Sequence, residues 1–121
     1  QMIPAILAEA DVGLSLIPPS RIYREASPTK LAEYMGAGLA VLASEGIDLQ
    51  TEYVRRSRGG ILVPWDVAEI SKGIRILAGS KGELEGMKKR AYEFAQRELQ
   101  YRNYLDTFLR VASIKVDQHP Q

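Results

Sequence analysis

The chain has 121 residues, 45% of them hydrophobic, with 16 Lys or Arg against 15 Asp or Glu and a net charge of +1. That length permits one domain with a modest core, and the charge balance gives no reason to expect a nucleic acid or a strongly acidic partner. Cysteine is absent, which excludes disulfides and thiolate metal sites. With no apolar run of membrane-spanning length and no visible signal peptide, the expected setting is soluble and cytoplasmic.

In chain order, MIPAILAEA predicts a helix with Ile3, Ile6 and Leu7 on one face and Pro4 in its first turn. Val12 to Ile17 is a short, largely apolar run of the kind found in parallel sheets. Pro18 and Pro19 stop it, and a loop through Arg21 and Arg24, both expected in solvent, leads to Glu25. Ser27 is a good N-cap and Pro28 suits the first helical position, so a helix is predicted from Pro28 to near Ala37. Leu31, Tyr34 and Met35 form its apolar face, Glu33 points away from them, and Gly36 and Gly38 provide the stop.

Leu39 to Ala43 reads as a second strand, Leu49 to Arg58 as a short helix with Tyr53 and Val54 inward, and Gly60 to Val63 as a third strand. Arg55, Arg56 and Arg58 fall at that helix's end, where cations complement the dipole; they are expected to be solvated. Trp65 is expected to pack. Asp66 with Glu69, and Ser80 with Glu83, are capping boxes that open two further helices. The first carries the stripe Val67, Ile70, Ile74 and Leu77 and ends at Gly79; the second carries Leu84, Met87, Ala91, Phe94 and Ala95. A last helix is predicted from about Arg102, with Leu105, Phe108, Leu109 and Ala112 on one side. Residues 117–121, with the single His119, read as a disordered tail.

Alternating short strands and helices indicate an α/β fold, a partial Rossmann-like doubly wound parallel sheet of about three strands with C-terminal helices. Its chemistry centres on the helix that follows Ser27. Free N–H groups in the first turn, from Ser27, Thr29 and Lys30, together with the positive end of the dipole, can hold a diphosphate. Glu25 and Glu33, on either side of that anion, can accept hydrogen bonds from sugar hydroxyls. A nucleotide sugar has that layout.

The pair Glu25 and Glu33 with seven residues between, followed by EYMGAGLAVLAS, then TEYV, GGILVPWD and AEISKGIRIL, resembles the Glu-x7-Glu signature and downstream elements of retaining glycosyltransferases of the GT-B fold. The resemblance covers most of the chain. It implies a partial donor-binding domain over residues 1–116, whose partner is a UDP-, GDP- or ADP-sugar. It also implies that the rest of the enzyme, with the acceptor domain and the residues that neutralise the leaving diphosphate, lies upstream. The isolated chain is then not expected to transfer sugar. Glu33 would hold the ribose hydroxyls, and Glu25 would act at the transferred sugar near its reacting carbon. The Thr29 hydroxyl could add a donor to the diphosphate.

Two departures from the family stand out. Thr51 occupies the position before Glu52 where the family usually has proline. No Asp-x-Asp motif is present, in keeping with metal-independent transfer. Without its upstream half, the strand Val12 to Ile17 would have an exposed edge and tend to form a homodimer, and the full-length enzyme could sit at the membrane periphery.

Other readings stay open. Glu33 could simply pair with Lys30, an interaction of about 0.2–0.5 kcal/mol. The whole chain could be a non-catalytic nucleotide or nucleotide-sugar binding module, a sugar-nucleotide epimerase of related fold, or a flavodoxin-like interaction domain with solvated glutamates.

Overall fold

The structure is a computed structural model that describes residues 10–24 and 29–99. The predicted opening helix, the last helix and tail, and the segment holding Glu25 and Ser27 lie outside the described residues. Within them the order is β1 (Val12–Ser15), α1 (Thr29–Gly36), β2 (Ala40–Ser44), α2 (Asp48–Ser57), β3 (Gly60–Val63), α3 (Val67–Gly79) and α4 (Lys81–Glu98). The strands form one parallel sheet in the order β1-β2-β3, with Val12 opposite Ala40 and Val41 opposite Gly60. Every expected element in this range is present, with boundaries shifted by one or two residues.

Strand β2 is central and wholly buried, and its side chains alternate between two layers as the pleat requires. Val41 and Ala43 face Leu31 and Met35 of α1, Val54 of α2, and Ala91, Phe94 and Ala95 of α4. Ala40 and Leu42 face Val63 and Leu77, with Ile70, Leu84 and Met87 around them. Helix α4 belongs to both layers. Its first half packs on the α3 side of the sheet and its second half on the α1 side, so it passes beneath the amino ends of the strands. There Lys88 Nζ meets Asp11 Oδ1 at 2.8 Å, and Arg90 Nε donates to the Arg58 carbonyl at 2.7 Å.

Both helix caps form as expected: the Asp66 carboxylate accepts from the Glu69 N–H at 3.0 Å, and Ser80 Oγ from the Glu83 N–H at 3.3 Å. The stripe on α3 forms only in part. Val67 is 81% and Ile74 46% exposed, while Ile70, Gly73 and Leu77 face the sheet. Gly73 explains the rotation: a Cβ there would lie 2.8 Å from Leu42 Cδ1 and 3.0 Å from Val63 Cγ1. The helix approaches closest at the residue without a side chain, which a count of apolar positions does not register. Trp65, expected to pack, is instead 48% exposed in the loop between β3 and α3.

The arginine cluster also differs from a simple solvated helix end. Arg56 lies over the Phe94 ring, 5.3 Å from its centroid, and pairs with Glu98 of α4 and, at 3.7 Å, with Glu52. Arg58 is the C-cap of α2, in the left-handed conformation at φ 55°. Arg56 thus joins α2 to α4 through a cation–π contact and charge, while Arg55 remains exposed.

Candidate functional site

The chain leaves β1 at its carboxyl end, crosses Pro18 to Arg24, and enters α1. Beside this exit lies a cleft of about 290 Å³. One wall is Leu14, Ser15, Leu16 and Ile17; the other is Thr29, Lys30 and Tyr34 of α1. Doubly wound sheets place ligands at the carboxyl ends of their strands, and this cleft has that position on an outer strand. A close approach shapes it. A Cβ on Gly13 would lie 2.3 Å from Tyr34 Cγ, so the Tyr34 ring rests on the β1 backbone. Tyr34 was expected in the core; it packs against the α1-side core and lines the cleft as well.

Of the residues singled out in sequence, Thr29 and Lys30 line the cleft, and both are exposed. Glu33 is exposed on α1, away from Leu31 and Met35, and is not part of the cleft lining. No ion pair joins it to Lys30 within 4.0 Å. Glu25 and Ser27 lie outside the described residues. Arg21 is exposed, and Arg24 pairs with Asp48 at 3.4 Å across the top of the loop.

Behind the β1 wall is a set of residues that the sequence reading did not single out. Gln50 and Ser44 are fully buried and Ser15 nearly so. Gln50 Nε2 donates to the carbonyls of Ser15 and Ser44 at 3.0 and 2.9 Å, and Ser15 Oγ donates to Gln50 Oε1 at 2.5 Å. Ser44 Oγ accepts from the Ile17 N–H at 2.8 Å and donates to the Ile17 carbonyl at 2.7 Å. The signal for them was a polar residue on an otherwise buried face, since Gln50 shares helical spacing with Val54 and Ser57.

Among the described residues no group of three or more His, Cys, Asp or Glu is placed to hold a metal ion, and no helix is long and apolar enough to cross a membrane. The described residues form a mixed α/β fold with a three-stranded parallel sheet, consistent with a partial Rossmann-like fold. No protein-family model, curated protein or solved structure matches it.

Proposed function

We propose that the chain is the donor-binding part of a retaining glycosyltransferase that takes its sugar from a nucleotide-activated donor. One observation carries this reading: the cleft at the carboxyl end of β1 is walled by the first residues of α1, Thr29 and Lys30, which belong to the same Glu-x7-Glu stretch that resembles the family. Backbone N–H groups in that first turn, with the Thr29 hydroxyl and the Lys30 ammonium, suit a diphosphate. Glu33 then accepts from the ribose hydroxyls, and Glu25 orients the transferred sugar at its reacting carbon. The outer edge of β1 is where an upstream βαβ half would join the sheet, supplying the groups that stabilise charge on the leaving diphosphate.

The test is a titration with UDP-, GDP- and ADP-sugars followed by ligand-observed NMR, on the wild type and on Glu33→Ala. Saturation transfer from one nucleotide class is expected. Affinity should fall roughly tenfold or more in the variant, the scale of a lost hydrogen bond to a charged group. Silence from all three donors, repeated on the full-length enzyme, would rule the reading out.

A further inference from the structure

The β1–β2 ladder ends at Ser15 opposite Ala43, yet the chain stays attached to β2 for two more residues. Ser44 Oγ takes both the N–H and the carbonyl of Ile17, so a side chain continues what the backbone ladder has stopped doing. Gln50, from the first turns of α2, closes the same junction from behind. Its two N–H donors face two carbonyls and its oxygen faces the Ser15 hydroxyl, so every hydrogen-bonding group of the amide is used. The reverse orientation of the amide would set its oxygen against two carbonyl oxygens.

The far end of the loop is tied to the same helix. The Asp48 N–H donates to the Arg24 carbonyl at 3.0 Å, and the Arg24 side chain reaches Asp48. The start of α2 therefore holds both ends of the stretch from Ser15, through Gln50, to Arg24, through Asp48, while Ser44 of β2 holds Ile17 within it. Burying a fully satisfied polar network adds little net stability over an apolar side chain of similar volume, but it selects one arrangement of the groups it joins.

We propose that Gln50 and Ser44 are positioning residues for the cleft: they fix the wall formed by Ser15 and Ile17 at its distance from Thr29 and Lys30, without touching what the cleft holds. The positioning stands on geometry alone; only its consequence for donor affinity rests on the glycosyltransferase reading.

Amide hydrogen exchange on the 121-residue chain tests it, with Ser44→Ala, Ser44→Thr and the near-isosteric Gln50→Met. The Ile17 amide should exchange roughly tenfold faster in Ser44→Ala, the scale of one lost hydrogen bond. Leu42, in the middle of β2, should keep its protection, and Ser44→Thr should restore Ile17. Gln50→Met should weaken nucleotide-sugar affinity while leaving Leu42 protected. Unchanged Ile17 protection in Ser44→Ala, or equal loss at Ile17 and Leu42, would overturn the proposal. If Ser44→Ala does not fold, the wild type decides: an Ile17 amide that exchanges as fast as Arg21 contradicts the Ser44–Ile17 hydrogen bonds on which the proposal stands. Should Ile17 respond as expected while neither this chain nor the full-length enzyme binds a nucleotide sugar, the positioning is upheld and the donor assignment fails.

Discussion

The two faces of the sheet are unequal, although one strand supplies both. On the α1 side, Leu31, Met35, Val41, Ala43 and Phe94 are closed off by three helices. On the α3 side, the buried hydrophobic cluster among the described residues is Ala40, Leu42, Val63 and Leu77, and Leu14 and Ile74 remain about half exposed. Because β2 alternates between the layers, the difference arises in the helices: among the described residues three cover one side, while α3 and the first half of α4 cover the other. Apolar periodicity marks which residues can face a sheet. It does not say how much of the sheet a helix will reach.

That inequality can be broken at its strongest point. Phe94→Ala should cost about 3–5 kcal/mol in urea denaturation, as expected for a large ring removed from a closed core; the Arg56 cation–π contact and the tilted Tyr53 ring, 5.9 Å away, go with it. A cost below about 1 kcal/mol would show that the α1 side is not the tighter layer.

On the other face the sensitive point is a glycine. Gly73→Ala should destabilise by about 1–3 kcal/mol, because the added methyl meets Leu42 and Val63 and overpacking outweighs the gain in helix propensity. Gly82→Ala in α4 meets nothing within 4 Å and should instead stabilise by about 0.5–1 kcal/mol. Equal effects at the two sites would mean that α3 does not approach the sheet at Gly73.

The smallest effect is at the foot of β1. The Lys88 hydrogen bond and charge hold the Asp11 carboxyl below its ordinary value, and Asp11 in turn raises the Lys88 ammonium. The Asp11 contribution is present above the unfolded carboxylate value of about 3.9 and is lost as pH falls through the lower folded value. The Lys88 contribution is present below about 10.4 and is lost as pH rises through the raised folded value. The melting temperature of the wild type should exceed that of Asp11→Asn by a small, constant margin between about pH 5 and 9, shrinking toward both extremes. A margin that persists unchanged at pH 2 would assign it to something other than this pair.

These contrasts also show which features were legible in the sequence. Strand β3 and the caps at Asp66 and Ser80 were readable because they depend on neighbours in the chain: glycines before an apolar run, and an oxygen three residues ahead of an N–H. The burial of α3 was misassigned to Val67 and Ile74 because its contact residue, Gly73, carries no hydrophobic signal. Trp65, next to the capping residue Asp66, was expected to pack, whereas its loop position leaves it half in solvent. Of the residues that line the cleft, Thr29 and Lys30 were the two singled out from the helix start. Gln50 was not, because its partners Ser15 and Ser44 come from strands that only the parallel register brings together.

Helix α4 carries one further consequence. A single rod threads both cores, gripping the α3 layer with Leu84 and Met87 and the α1 layer with Ala91 and Phe94. Releasing α4 from the sheet therefore removes packing from both layers at once. The two unequal faces thus share one element, and its loss would expose the apolar surface of both.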